Sequence, residues 1–408
     1  MTAIDNQAKK PLPSWQMLIY LIMIGFTFIS MPKNEMTYLV SRMIQAIELL
    51  FFTALIIQFT KQPQKPCSFN VWSNIWWIMY TLFTYFFATG MGLTPMFRWL
   101  NIIIFLLLGS CYWRHNYEDS LNLIAKAFSI LIYLNAFLLI LYPRGLWIDT
   151  EWVGRGDATR YLFGNYNQMG FVCLLGITAQ AMYTLATEKG KRNMFFLIVV
   201  SIWSVIKVGS MTSAVGLIIL ALYICFSKYI KKPQVYFWIF SIFYIAFFLV
   251  IIWFGNSIEE IQLITRFIEG TLSKDSSFSG RTDIWNNAVD LIKQSPWIGY
   301  GVQNVEWNDQ NLGGSGTHNI WLQLLLQGGC VLSIFFLGII YFVMKRARNK
   351  HISYTTIGVV AICVLLLMSL FETYNMIHTF LLIQLVYYSP LLDKAEEDAE
   401  TSQQIMKP

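Results

Sequence analysis

Apolar runs long enough to cross a lipid bilayer recur along the whole chain. A transmembrane helix needs roughly 20 apolar residues, and the sequence offers about twelve such runs. Charged residues make up 13% of the chain, against about 25% in an average soluble domain. The pattern predicts an all-α fold, a polytopic integral membrane helical bundle. The predicted spans are 15–31, 36–59, 71–89, 97–113, 121–142, 166–186, 194–208, 211–227, 234–254, 318–344, 353–371 and 374–388.

The distribution of basic residues predicts how the bundle is oriented. When both termini are placed in the cytoplasm, the inner segments carry about twice as many Lys and Arg residues as the outer segments. The short inner loops 188–193 and 345–350 contribute strongly to this excess. We therefore predict that both termini are cytoplasmic. No small-x-small cleavage site follows the first apolar run, so we expect a retained span rather than a cleaved signal peptide.

Two outer loops, 143–165 and 255–317, are longer than the others, and long loops are usually functional. In the second loop, apolar residues recur at helical spacing over 258–268 and 284–292, which predicts two amphipathic helices. These helices either lie on the bilayer surface or cover a cavity between spans, and the periodicity alone does not distinguish the two arrangements. The predicted domains are membrane helices with about nine spans (1–254), the large extracytoplasmic loop (255–317), C-terminal membrane helices (318–390) and a cytoplasmic tail (391–408).

Several classes of site are absent from the sequence. The six cysteines form no CxxC or Cys/His pair, so we read them as packing residues. No metal-ligand cluster, Walker loop or GxSxG elbow occurs. The net charge of +6 comes without a nucleic-acid-binding motif. We therefore expect no metal ion, no cofactor and no nucleic-acid partner.

Arg281 lies just before the second predicted amphipathic helix. A cation at a helix N-terminus does not complement the helix dipole, whereas a cation at a C-terminus does. An anion held between Arg281 and the free N–H groups of that helix would satisfy both charges. The alternative is an arginine that is simply exposed at the surface.

His318 lies at the outer start of a predicted span, directly after a Gly-Gly-Ser-Gly sequence and before Asn319. Histidine titrates near neutral pH and can accept a proton from a hydroxyl group. The glycines would allow the backbone to approach a ligand closely. His318 is therefore a candidate general base, and the alternative is a solvated histidine at the interface. His378, near the outer end of the last span, is a second candidate.

Further charged residues are predicted on the same membrane face. Arg160 precedes a span, Arg98 and Lys207 lie near the outer ends of their spans, and Glu372 is a carboxylate that can pair with these cations. Cations with aromatic residues such as Trp285 suit an anionic group that carries sugars, because arginine binds phosphate and aromatic faces pack on carbohydrate rings.

Several motifs follow one another in the second half of the chain. They are Arg281, Ile284-Trp285, Pro296-Trp297-Ile298-Gly299-Tyr300-Gly301, His318-Asn319 and the run from Leu322 to Gly329. In this order they resemble the O-antigen ligase and polymerase family of membrane glycosyltransferases, with a looser match over Arg160 to Asn167. One departure is Gly209-Ser210-Met211-Thr212-Ser213, where family members often carry a Ser-Arg pair and Lys207 is a potential substitute.

The resemblance implies metal-independent glycan transfer from an undecaprenyl-diphosphate carrier on the outer face of the plasma membrane. It implies that Arg281, Arg160 and Lys207 bind the diphosphate and that His318 is the base. The partners it implies are the lipid-linked donor, a glycan acceptor, the bilayer, a flippase and a chain-length regulator. The candidate substrate-binding residues are Asn319, Trp285, Arg98, Glu372 and His378.

Three alternatives stay open beside this interpretation. The similarity of GRTDIW, IGYGV and HNIWLQLLLQGG to capsule and exopolysaccharide polymerases favours a polymerase over a ligase that uses a lipid A core. A lipid-linked oligosaccharide transporter is a rival, although the chain lacks the two related halves that many transporters have. A non-catalytic scaffold in an export complex is the third.

Overall fold

The computed structural model is almost entirely helical, with eleven helices and one short β-hairpin within the ranges that it describes. The described residues are 24–25, 27–30, 39–40, 43, 46, 68–88, 117–149, 158–227, 233–249, 281–348, 353–373 and 376–391. The helices are α1 (Ser68–Phe87), α2 (Tyr117–Leu141), α3 (Tyr166–Thr187), α4 (Lys191–Lys207), α5 (Met211–Phe226), α6 (Pro233–Phe247), α7 (Arg281–Gln294), α8 (Val305–Leu312), α9 (Ile320–Arg348), α10 (Ser353–Met368) and α11 (Met376–Tyr388), and the strands are β1 (Trp147–Ile148) and β2 (Thr159–Arg160).

Three of these helices are long and apolar enough to cross a bilayer: α2, α3 and the first 28 residues of α9. Shorter apolar helices are α5, most of α10, and α11. The predicted class, a helical membrane protein, is confirmed. The number of spans and the orientation of the termini stay predictions. The predicted spans 36–59 and 97–113 and the first amphipathic helix, 258–268, lie outside or almost outside the described residues.

Helix α3 forms the centre of the bundle and is buried on nearly all sides, as expected for a helix that is apolar all round. It packs against α2, α4, α5, α10 and α11. Two glycines allow these close approaches. A Cβ at Gly170 would lie 2.1 Å from the Cβ of Ser213, and a Cβ at Gly176 would lie 2.5 Å from the side chain of Ile132.

The packing brings several helix termini to one end of the bundle, which we call the site end. Gly170 near the start of α3 faces Ser213 near the start of α5, and Gly216 of α5 faces Met368, the last residue of α10. The backbone N–H of Ile320, the first residue of α9, donates 3.1 Å to the carbonyl of Ser369. Helices α3, α5 and α9 therefore begin where α10 ends.

Helix α9 is broken at Gly329, which has φ 59° and ψ −163°. The turn that follows α7 fills the break with backbone hydrogen bonds. The N–H groups of Tyr300 and Gly301 donate to the carbonyls of Leu326 (2.8 Å) and Gln327 (2.9 Å). In the opposite direction, Cys330 and Val331 donate to the carbonyls of Pro296 (2.8 Å) and Trp297 (3.2 Å). Backbone groups that a kink would leave without partners are thus satisfied.

One face of α1 also holds this broken region. Trp76 donates from its indole nitrogen to the carbonyl of Leu332 at 3.1 Å, and the hydroxyl of Tyr80 donates to Oε1 of Gln327 at 3.0 Å. One turn further, Oγ1 of Thr84 accepts from the N–H of Val302 at 3.1 Å. The turn after α7, the kink of α9 and α1 therefore form one connected unit that supports the site end.

Candidate functional site

Arg281, Glu372 and His318 lie together at the site end. Nη2 of Arg281 lies 2.7 Å from Oε1 of Glu372, and Nδ1 of His318 lies 3.7 Å from Oε2 of the same carboxylate. The Glu372 side chain is 7% exposed, whereas the side chains of Arg281 and His318 are 21% and 31% exposed. A buried carboxylate thus separates a cation and an imidazole that both reach the surface.

The C-terminal end of α10 organises this cluster. Three successive carbonyls that follow the helix accept from three different donors. Ser369 accepts from the N–H of Ile320 (3.1 Å), Leu370 from Nδ2 of Asn319 (3.0 Å) and Phe371 from Nη1 of Arg281 (2.5 Å). The last carbonyls of a helix have no partner within it, and the negative end of its dipole attracts cations.

The position of Arg281 is explained by this second helix. Its backbone begins α7, where a cation is unfavourable, but its guanidinium lies at the C-terminal end of α10, where a cation is favourable. The protein itself supplies the anion, Glu372, with which Arg281 pairs. The expected pairing of Glu372 with a cation of this face is therefore present.

His318 has a left-handed backbone conformation, with φ 48°. Such a conformation costs roughly 1–2 kcal/mol for a residue other than glycine and persists where neighbouring contacts enforce it. Both neighbours of His318, Thr317 and Asn319, are fully buried. Oγ1 of Thr317 lies 2.8 Å from the carbonyl oxygen of Asn319 and 3.0 Å from Oε1 of Gln323, so these two acceptors share its single hydroxyl proton. The flanking residues thus hold the backbone of His318 in this conformation.

Asn319 is the N-cap of α9. Its Oδ1 accepts from the N–H groups of Trp321 (2.9 Å) and Leu322 (3.0 Å), while its Nδ2 donates to the carbonyl of Leu370. The side chain joins the start of α9 to the end of α10 and is 0% exposed. Through these contacts, Asn319 supports the backbone next to His318.

Helices α7 and α8 brace the loop that leads to His318. The predicted amphipathic helix over 284–292 is confirmed as α7, and its apolar face, including Trp285, Ala288 and Ile292, is buried against the first turns of α9. Nε1 of Trp285 donates to the carbonyl of Thr317 at 2.9 Å. Trp285 is 1% exposed and therefore packs beneath the His318 turn.

Helix α8 was not predicted, although its sequence carries both end signals. Asn304 is its N-cap and accepts from the N–H of Trp307 at 2.8 Å. Gly313 ends it in the left-handed conformation that glycine favours. Nδ2 of Asn308 donates to the carbonyl of Ser315 at 3.1 Å, which ties α8 to the loop before His318.

The other predicted diphosphate ligands also lie at the site end. Arg160 is 8% exposed and forms an ion pair with Asp149 at 3.3 Å, across the hairpin in which Trp147 pairs with Arg160. Arg160 and Arg281 therefore pair with different carboxylates. Lys207 is the last residue of α4 and is exposed. Ser210, where the family often has its Ser-Arg pair, is buried and donates to Oγ of Ser213 at 2.8 Å.

The two remaining predicted residues are His378 and Arg98, of which the structure describes only His378. His378 is 5% exposed, and its imidazole stacks between the rings of Phe28 and Phe171, at centroid distances of 4.4 and 5.1 Å. It is therefore more deeply buried than His318, whose side chain is partly exposed. Arg98 lies outside the described residues.

These features define a helical membrane protein with a polar site of cation, carboxylate and imidazole at one end of its bundle. The sequence model of the family Wzy_C, described as O-Antigen ligase, matches residues 196–337. The matched segment includes Arg281, Trp285 and His318. The match covers about a third of the chain, and over these residues the sequence is similar to the O-antigen ligase family. This similarity suggests a glycosyltransferase activity of ligase or polymerase type. No curated protein matches the chain significantly.

Proposed function

We propose that the protein polymerises glycan repeat units of a capsule, an exopolysaccharide or an O-antigen on the extracytoplasmic face of the plasma membrane. The donor is a glycan on undecaprenyl diphosphate, and the acceptor is a hydroxyl group of a second carrier-linked glycan. The observation that carries the proposal is the His318 imidazole, held by a strained turn beside the Arg281–Glu372 pair. His318 and Arg281 lie within the segment that matches the family, whereas Glu372 lies beyond its end.

The reaction exchanges one bond to the anomeric carbon of the donor for another. The bond from that carbon to the diphosphate oxygen breaks, and undecaprenyl diphosphate leaves with the electron pair. A new bond forms to the acceptor oxygen, whose proton passes to His318 as general base. The proximity of Nδ1 to Glu372 favours the tautomer with its proton on Nδ1. Nε2 is then free to take the acceptor proton.

Arg281 supplies the positive charge that the leaving group needs. Its guanidinium carries more N–H groups than the contacts with Phe371 and Glu372 use, and its side chain is partly exposed. A fixed cation beside a developing diphosphate lowers the barrier because it stabilises charge that grows in the transition state. Lys207 is exposed at the same end of the bundle and supplies a second cation for the carrier diphosphate, whereas the guanidinium of Arg160 must first leave its ion pair with Asp149.

The test is glycan transfer by the purified full-length protein in liposomes that contain lipid-linked repeat units. The wild type should give a ladder of polymer lengths on a gel. His318→Ala should slow transfer about 10²–10⁴-fold through loss of the base, and Arg281→Ala about 10²–10³-fold through loss of charge stabilisation. Lys293→Ala is the matched control, because Lys293 is an exposed cation on the same helix as Arg281. It should retain wild-type activity.

Other outcomes of this assay would contradict the proposal in distinct ways. A single transfer to an added lipid A core without a ladder would identify a ligase. Movement of the lipid-linked glycan across the bilayer without formation of a glycosidic bond would identify a transporter. Normal ladders from both His318→Ala and Arg281→Ala would show that this cluster is not the catalytic site.

A further inference from the structure

Glu372 connects the two residues to which the proposed mechanism assigns separate tasks. Its Oε1 receives the short contact from Arg281, at 2.7 Å, and its Oε2 faces His318 at the longer distance of 3.7 Å. The carboxylate is therefore engaged with the cation, while the imidazole lies just beyond hydrogen-bond distance. This asymmetry distinguishes the cluster from a preformed carboxylate–imidazole pair.

A diphosphate that binds Arg281 would compete with Glu372 for the same guanidinium. Both groups are anions, and like charges close together in a partly buried site repel each other strongly. Glu372 is buried and cannot exchange its lost partner for bulk water. His318 is the partner within reach, because a small rotation of either side chain closes the gap of 3.7 Å.

We propose that Glu372 is a positioning residue that couples binding of the donor to activation of the base. Without the donor, Arg281 holds the carboxylate. When the donor diphosphate binds Arg281, Glu372 accepts the Nδ1–H of His318, orients the ring and stabilises the imidazolium that forms as Nε2 takes the acceptor proton. This inference rests on the proposed function, and it adds a reason why the base becomes competent when the donor is bound.

The coupling predicts opposite effects on binding and on catalysis when the charge of Glu372 is removed. Glu372→Gln keeps the size of the side chain and an oxygen that can still accept from Arg281. It removes the competing anion, so inorganic pyrophosphate should bind about tenfold more tightly than to the wild type. It also removes the charge that supports His318, so the turnover number for glycan transfer should fall about 10–100-fold. A merely structural role would weaken both properties together.

The experiment uses the purified full-length protein in detergent, with pyrophosphate affinity from calorimetry and turnover from the liposome assay. Glu372→Asp retains the charge on a shorter side chain and should recover part of the turnover. Asp290→Asn is the matched control, because Asp290 is an exposed carboxylate that pairs with Lys293 away from the cluster. It should change neither property. Equal melting temperatures verify that the variants are folded.

A third measurement follows His318 itself and does not require turnover. Diethyl pyrocarbonate reacts with neutral imidazole, and mass spectrometry of the His318 peptide gives the rate. Pyrophosphate should speed this reaction several-fold in the wild type, because an Nδ1–H group bonded to Glu372 makes Nε2 more nucleophilic, but not in Glu372→Gln. The same change of rate in both proteins, or no pyrophosphate binding by the wild type, would overturn the inference. If the coupling is observed but no lipid-linked glycan is transferred, the proposed function fails while the coupling stands.

Discussion

The indole of Trp285 donates a hydrogen bond of 2.9 Å to the carbonyl of Thr317, the residue before His318. Both partners are almost fully buried. Through this bond, α7 holds the backbone of the turn that presents the imidazole, while the guanidinium at the start of the same helix holds Glu372. A single helix in the large loop therefore positions the cation and the base together.

Replacement of Trp285 by Phe tests this support. The phenyl ring keeps most of the buried apolar surface, but the carbonyl of Thr317 loses its donor, which costs about 1–2 kcal/mol for a buried group. We expect a lower melting temperature and glycan transfer reduced about tenfold because the His318 turn is less well held. Trp297→Phe is the control, because the side chain of Trp297 is 68% exposed. Wild-type activity of Trp285→Phe would contradict the positioning role.

The strained backbone of His318 predicts that two variants which both lack the base differ in stability. Glycine adopts a φ of 48° without the steric cost that other residues meet. His318→Gly should therefore be more stable than His318→Ala by roughly 1 kcal/mol, with a higher melting temperature, although both variants lack the base and should show the same large loss of glycan transfer. If alanine were tolerated as well as glycine, the strain would not be a property of this turn.

Asn319 was predicted as a candidate substrate-binding residue, and its contacts lead to a different expectation. Because its amide caps α9 and joins α9 to α10, Asn319→Ala should lower stability by about 1–2 kcal/mol. The apparent affinity for the donor should stay close to that of the wild type, since the amide is buried. Steady-state kinetics at a temperature well below unfolding would show this. A large rise in KM with an unchanged melting temperature would favour direct contact with substrate.

The sequence contains enough information to predict the helical membrane class and the helix over 284–292, because both follow from local patterns. Apolar length defines a span, and spacing of apolar residues defines the buried face of α7. Arg281 and His318 could be singled out in the same way, as polar residues at the ends of apolar segments. Helix α8 could also have been found, since Asn304 and Gly313 mark its two ends.

The remaining features depend on contacts between distant segments. The guanidinium of Arg281 reaches the end of α10, some 90 residues further along the chain. Local reasoning about its own helix identified the need for an anion but not that Glu372 meets it. The supporting roles of Trp285 and Asn319 likewise follow from partners at Thr317 and Leu370 that no spacing rule indicates.

The break in α9 gives the sharpest test of the tertiary arrangement. Gly329 combines φ 59° with ψ −163°, a conformation that is essentially restricted to glycine. A Cβ at this position would lie 2.2 Å from the carbonyl carbon of Trp297. Gly329→Ala should therefore force apart the turn after α7 and the break it fills. We expect a loss of several kcal/mol, visible as poor accumulation in the membrane or a much lower melting temperature.

Gly338 is a matched control for Gly329, because it lies further along the same helix and a Cβ there would meet nothing within 4 Å. Alanine has a higher helix propensity than glycine, by roughly 1 kcal/mol. Gly338→Ala should thus be neutral or slightly stabilising, with normal glycan transfer. If both variants accumulated and melted alike, the turn after α7 would not be locked into the break of α9. The turn after α7, the kink of α9 and α1 would then not be the connected unit that supports Arg281 and His318.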